Sequence, residues 1–175
     1  MTTPTVPRTD GRSARRAGTR EAIMDAATEL FAARGVTSTS IDDIAAAAGI
    51  AKGSIYYNFE SKAGLVEAIM ARNSRLLGDA LAEATRGRSG TALRDEVVRV
   101  LLRLVQQHAS AARVMVTELF RTERSWRESI EQWRGLALSP LIADLRAHGA
   151  DPVVAGVQAA SIVGATLMAG LEWLV

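Results

Sequence analysis

The chain has 175 residues, enough for one domain or for a small domain with a companion. Its formal net charge of only +2 excludes a surface that binds polyanions on all sides. The absence of cysteine excludes disulfides and thiolate metal sites and suits a cytoplasmic protein. Hydrophobic residues make up 48%, ample for a core, and β-branched residues never alternate over a useful length, so we predict an all-α fold.

Residues 1–16 are predicted to form a flexible basic arm. Residues 1–20 contain five arginines and one aspartate, and such a local excess of positive charge adds phosphate contacts that weaken with salt. Arg15 and Arg16 are therefore candidate DNA-binding residues. A solvated tail without a DNA contact is the alternative, and we favour it for residues 1–12.

The segment 40–59, SIDDIAAAAGIAKGSIYYNF, predicts two short helices joined by a tight turn. Ser40 and Asp43 have the spacing of a capping box at the start of the first helix. Gly49 is the residue type that ends a helix in a left-handed conformation. The second helix is expected over about 52–58. Together they form a helix-turn-helix, whose second helix can enter a DNA major groove.

The motif and its flanks contain A-x-x-L-F-x-x-x-G, I-x-x-I-A-x-x-A-G, K-G-S-I-Y-Y-x-F and S-K-x-x-L. Over about residues 17–77 this run resembles the TetR family of bacterial transcriptional repressors. The sequence departs at Ala51, where the family usually has a capping Ser or Thr, and at Asn58, where His is common. The resemblance implies a three-helix DNA-binding domain (17–77). A long fourth helix would join it to a helical effector-binding and dimerisation domain (78–175).

The second motif helix supplies most of the candidate DNA-binding residues, which are Lys52, Gly53, Ser54, Tyr56, Tyr57 and Asn58. Lys52 suits a guanine edge or a phosphate, Asn58 suits adenine, and Gly53 lets the backbone approach closely. Four residues suit phosphates, which position a protein without specifying sequence: Ser40, Tyr56, Tyr57 and Lys62. Asp42 is expected to lie exposed near DNA and to repel it.

Lys62 begins the predicted fourth helix, where the helix dipole disfavours a cation. A phosphate against this helix start would explain the lysine, and the resemblance implies such a contact. An ordinary exposed lysine is the alternative.

In the second half, further helices are predicted over about 92–108, 110–122 and 125–148. A last helix is predicted to begin at Asp151 and Pro152, because Asp is a favoured N-cap and proline is favoured at the first helical position. A small-molecule pocket between such helices is expected to be apolar with few polar groups. The candidates are Met70, Leu104, His108, Met115, Glu118, Phe120, Trp126 and Trp133. For each of them, plain core or interface packing is the alternative.

The last helix has no charged residue over 153–171, close to the ~20 residues that span a bilayer. Polar residues interrupt it and no basic flank follows, so we expect no membrane contact. Gly156, Ala160 and Gly164 recur every four residues and favour close approach of another helix. We predict a helix buried on most sides, with the last two helices forming a homodimer. The chain stops inside an apolar run, which suggests a truncation that weakens dimerisation.

The function predicted from these features is that of a sequence-specific transcriptional regulator. By resemblance it is a repressor that a small apolar ligand releases from a palindromic DNA operator. No catalytic constellation or metal set is visible, since the two histidines lie in different predicted helices. No enzyme activity, cofactor or metal is therefore expected. The alternatives are a non-specific architectural DNA-binding protein and a helical small-molecule-binding protein.

Overall fold

The computed structural model describes residues 11–119 and 126–173, and within these ranges the chain forms eight α-helices and no strand. In chain order, α1 to α8 are Gly11–Arg34, Ile41–Ala48, Lys52–Asn58, Lys62–Thr85, Gly90–Gln107, Ala109–Leu119, Arg127–Ala147 and Pro152–Trp173. The predicted all-α fold class is confirmed.

The first helix begins earlier than the sequence predicted. Residues 11–16, assigned to a flexible arm, are the first turns of α1. Alanine and arginine are strong helix formers, and no proline follows Pro7 in this stretch, so the helix continues outward from its packed part. Residues 1–10 of the predicted arm lie outside the described residues.

Helices α2 and α3 form the predicted helix-turn-helix. The Ser40 side chain accepts a hydrogen bond from the Asp43 backbone N–H at 3.1 Å, and the Asp43 carboxylate accepts one from the Ser40 N–H at 2.9 Å. The predicted capping box is thus confirmed. Gly49 ends α2 with φ 66°, and Ala51 precedes α3 without any side-chain cap bond because it has no hydroxyl.

Helix α4 packs on α1 in the N-terminal part and on α5 and α7 in the C-terminal part. Its buried residues run from Leu65 and Ile69 near the start to Leu77 and Leu81 near the end. One helix therefore contacts helices of both halves of the chain, and its buried side chains belong to one continuous core.

The predicted burial of the last helix on most sides involves a second subunit, so it stays a prediction. Only one face of α8 is buried in the chain, through Ala155, Ala159, Val163, Thr166, Leu167 and Gly170. Close approach occurs at Gly170, where an added Cβ would lie 3.2 Å from Cγ1 of Val105 on α5. Gly156 and Gly164 have open space instead. By length and composition α8 could cross a membrane, and 33% of its most apolar window is buried.

Candidate nucleic-acid interface and effector cavity

The outward face of α3 is rich in exposed aromatic residues. Ile55 and Phe59 anchor α3 in the core, while Tyr56 and Tyr57 remain 50% and 70% exposed. This pattern follows from helical spacing, since residues four apart share a face. Large apolar rings exposed on a short helix are available to an external partner.

Helix α1 extends the surface of α3. Arg15, Arg16 and Thr19 face Ser54 and Tyr57 across a groove that Gly53 and Asn58 also line. The Arg16 guanidinium lies 5.0 Å from the centre of the Tyr57 ring, within cation–π range. The structure thus brings the two arginines predicted for the arm next to the predicted reading helix.

Lys52 and Asp42 form an ion pair between α3 and α2. The Nζ atom of Lys52 donates to Oδ2 of Asp42 at 2.9 Å, and both side chains are at least half exposed. The hydrogen bond to Asp42, and then the charge of that carboxylate, raise the pKa of Lys52 above its usual value. The lysine predicted to contact DNA is therefore paired with the aspartate predicted to repel it.

Asn58 lines the groove between α1 and α3, but its amide is bound within α3. Its side chain is half-buried, and Nδ2 donates to the carbonyl oxygen of Ser54 at 2.8 Å within α3. The Asn58 carbonyl accepts a hydrogen bond from Arg20 at 2.7 Å, and the guanidinium of Arg20 lies over the Phe59 ring. At the end of a short helix the amide caps its own backbone, so it would have to rotate before reading a base.

Lys62 is turned away from the surface. Its Nζ atom donates to the carbonyl oxygens of Val36, Thr37 and Thr39 at 2.8, 3.3 and 2.9 Å. An ammonium group has three protons, and all three have acceptors here. This arrangement favours a structural role for Lys62, joining α4 to the α1–α2 loop, over the predicted phosphate contact.

Ser40 also has a structural partner. Its hydroxyl donates to Oδ2 of Asp43 at 2.6 Å, in addition to capping α2. The hydrogen bonds from the Ser40 side chain and backbone hold the pKa of Asp43 below its usual value. A phosphate contact by Ser40 would have to share this hydroxyl with the cap.

An apolar cavity lies between α4, α5 and α6, and one residue each from α7 and α8 also lines it. It measures about 60 Å³ and is partly open to solvent. Four of the predicted ligand-binding residues line it: Leu104, His108, Met115 and Trp133. Sequence reasoning missed the other lining residues, above all Asn73 and Leu76 on α4, because helical periodicity places a residue on a face but does not say which faces leave a gap.

A second, polar cleft adjoins the apolar cavity. It encloses about 460 Å³ between α1, α4 and the junction of α5 with α6. The two spaces share Asn73, Leu76, His108 and Ala111. In the part of the chain that the structure describes, no group of three His, Asp or Glu side chains is placed to hold a metal ion.

The other predicted ligand-binding residues that the structure describes are not among those that line the apolar cavity. Met70 is fully buried in the core and lines neither the apolar cavity nor the polar cleft. Glu118 is 1% exposed, and its carboxylate accepts a hydrogen bond from Nε1 of Trp126 at 3.0 Å. Glu118 and Trp126 therefore contact each other instead of lining the apolar cavity. Phe120 lies outside the described residues.

Comparison with known proteins matches the N-terminal segment to a family. The family model of the bacterial regulatory proteins, tetR family, matches residues 23–69. The HTH-type transcriptional repressor KstR2 of Rhodococcus jostii (strain RHA1) is 44% identical over 70 residues, which are 40% of this chain and 32% of that protein. The chain thus matches only about a third of the length of this curated relative.

Solved structures match the chain over most of its length. The transcriptional regulator FadR of Bacillus subtilis, in complex with stearoyl-CoA, has a TM-score of 0.74 and 20% identity, covering 88% of this chain and 86% of that one. AibR, in complex with isovaleryl coenzyme A and operator DNA, has a TM-score of 0.76 and 22% identity, covering 89% and 86%. At this level of identity the likeness is one of fold.

Proposed function

Because its N-terminal domain places this chain in the TetR family of bacterial regulatory proteins, we propose that the protein is a sequence-specific DNA-binding transcriptional regulator. The relatives that match are transcriptional regulators, not enzymes. Residues 17–77 would bind DNA, and residues 78–175 would bind an effector and a second subunit. We also propose that the protein is cytoplasmic and that it represses transcription.

The observation that carries the proposal is Gly53. Glycine within a helix costs roughly 0.5–1 kcal/mol relative to alanine. At Gly53 an added Cβ would meet nothing within 4 Å, so the packing of the chain does not require a glycine there. A close approach by a partner outside the chain, such as a DNA backbone or base edge, accounts for it.

The residues around Gly53 support the same partner. Tyr56 and Tyr57 are exposed on α3, and Arg15 and Arg16 of α1 line a groove together with Tyr57. Tyrosine hydroxyls and guanidinium groups bind phosphate oxygens and position a protein on the duplex. Base reading would then fall to Lys52 and Ser54, at the start of α3.

The exposed face of α8 supports a homodimer. Val153, Val157 and Met168 are 74%, 61% and 55% exposed. Exposed apolar patches mark interaction sites. Two subunits joined through α7 and α8 would set their reading helices ~34–36 Å apart, matching successive major grooves of a palindromic operator. We prefer a second subunit to a lipid because Gln158 and Ser161 share the exposed face.

Effector control follows from the continuity of α4. A ligand between α4, α5 and α6 that prefers a shifted α4 would move the DNA-binding domain and release the operator. Two structural neighbours bind acyl-CoA molecules, stearoyl-CoA in FadR and isovaleryl coenzyme A in AibR. For this chain the proposal is a small, mainly apolar effector, which the lining of the cavity supports.

Fluorescence anisotropy on the DNA upstream of the gene, against a scrambled duplex at two salt concentrations, tests the regulator. We expect tight binding only to the upstream duplex, with two subunits per site. Tyr57→Ala is expected to weaken binding while the circular dichroism spectrum stays unchanged, and Thr91→Leu, an exposed change on α5, serves as the control. Equal, weak binding to both duplexes would favour an architectural protein instead.

A further inference from the structure

We infer that the effector is an uncharged molecule whose apolar body fills the α4–α5–α6 cavity and whose single hydrogen-bonding oxygen lies at Asn73, where this cavity meets the polar cleft beside α1. The inference rests on the proposed function and deepens it. It assigns a ligand class and extends the site to the DNA-binding domain.

The apolar cavity by itself is smaller than a usual ligand site. The apolar cavity measures about 60 Å³. Ligand sites usually measure roughly 300–1,000 Å³. The adjoining cleft encloses about 460 Å³ and shares four lining residues with the cavity. A ligand with an apolar body and a polar end would therefore extend from the cavity into the cleft.

Asn73 marks the junction of the two spaces. It lines both of them, and its Nδ2 atom is buried with no hydrogen-bond partner. A buried donor without an acceptor costs about 1–3 kcal/mol. Turning the amide about its last bond presents either its oxygen or its nitrogen to a ligand. A hydroxyl, ketone or amide oxygen placed here would remove the cost.

The surroundings of Asn73 decide the charge of the ligand. Its neighbours in the apolar cavity are mainly aliphatic residues and Trp133, and no Asp, Glu, Lys or Arg lines that space. Of the charged residues that line the cleft, Asp25 and Glu29 are exposed, and the Arg72 guanidinium already contacts Asp25 at 2.7 Å and Glu21 at 2.9 Å. His108 also lines both spaces, but it is exposed, so water screens its attraction for a charged group. A charged head at Asn73 would therefore lose water with little compensation, which disfavours carboxylates and ammonium groups alike.

The position of the cleft gives the ligand a direct route to α1. Ser110, at the start of α6, donates to Oε2 of Glu29 on α1 at 2.8 Å, and both residues line the cleft. A ligand that fills the cleft therefore touches the helix on which the DNA-binding core is built. Through the Ser110–Glu29 hydrogen bond, a ligand in the cleft would couple α6 to α1.

A matched series of eight-carbon probes tests the ligand class: 1-octanol, 2-octanone, octanoate, octylammonium and octanoyl-CoA. Binding to the DNA-free protein is followed by tryptophan fluorescence, since Trp133 lines the cavity. We expect the alcohol and the ketone to bind at least tenfold more tightly than the three charged probes. We expect Asn73→Leu to weaken their binding about five- to tenfold, the contribution of one hydrogen bond. We expect Thr91→Leu, an exposed change on α5, to leave binding unchanged.

Several outcomes would overturn the inference: tighter binding of any charged probe, no effect of Asn73→Leu, or no binding of the alcohol and the ketone. Operator binding without ligand is measured separately. If the protein binds its operator but does not bind the neutral probes, the inferred ligand class is refuted and the proposed regulator stands. Binding of the neutral probes without operator binding refutes the proposed regulator and leaves the cavity assignment standing.

Discussion

Replacing Lys62 by methionine separates a structural role of this residue from a DNA contact. Methionine keeps an apolar stem of similar length and removes only the ammonium group. In the structure that group donates to three carbonyl oxygens of the α1–α2 loop, at 2.8 Å (Val36), 3.3 Å (Thr37) and 2.9 Å (Thr39). The substitution therefore cuts the cross-link between α4 and this loop.

The cost of Lys62→Met follows from those distances. A hydrogen bond to a charged group contributes roughly 1.5–3 kcal/mol when its partners cannot reach water. The loop is partly exposed, so water replaces some of the lost bonds, and we expect a destabilisation of about 1–3 kcal/mol in total. For a chain of this size each kcal/mol lowers Tm by about 2–4 °C, so a loss of about 1–3 kcal/mol gives a fall of roughly 2–12 °C.

The two roles of Lys62 differ in the salt dependence of operator binding. Each phosphate contact contributes about 0.9 to the slope of log K against log salt, so losing one per subunit would lower the slope of a dimer by about 1.8. We expect no change in slope. Thermal melting by circular dichroism and anisotropy at four salt concentrations measure both quantities, with Arg15→Gln as the control that alters the slope and spares Tm. An unchanged Tm together with a smaller slope would refute the structural role.

Three further predictions concern the reading helix and the dimer. Gly53→Ala should raise the free energy of unfolding by up to about 1 kcal/mol and weaken operator binding. Urea denaturation measures the first effect and anisotropy the second, and undiminished DNA binding by the variant would contradict a close approach of DNA at Gly53. Asp42→Asn should free Lys52, strengthen binding several-fold to operator and scrambled duplex alike, and steepen the salt slope; weaker binding would show that the ion pair positions Lys52 productively. Val157→Arg, in the exposed face of α8, should yield monomers by light scattering with unchanged helicity, whereas an intact dimer would place the interface elsewhere.

Interactions that join neighbouring residues could be predicted from the sequence. The two residues of the capping box, Ser40 and Asp43, are three positions apart in the sequence, and Gly49 ends the same helix. At the start of α8, Asp151 accepts the N–H groups of Val153 and Val154 at 2.9 and 3.4 Å, as its place before Pro152 predicted. Such bonds depend only on local spacing and residue type, so the pattern in the sequence contains all the information they need.

The roles of Lys62 and Asn73 were decided by tertiary structure. The carbonyl acceptors of Lys62 are 23 to 26 residues away. Asn73 falls at the meeting point of two cavities, a place that exists only once several helices have packed. Periodicity identified Leu104, Met115 and Trp133 as inward-facing, and the packing of irregular side chains determined that these residues border a gap while Met70 fills the core.

The same distinction explains the DNA-binding surface. The sequence alone determined that a helix-turn-helix forms and that two tyrosines lie on its outer side, since both follow from the period of a helix. Whether a polar side chain on that surface is free depends on neighbours brought in by folding. Lys52 meets Asp42 from α2, and Arg16 meets Tyr57 from α1. The sequence determines which residues are charged, but the partner of each charge depends on which helices pack side by side.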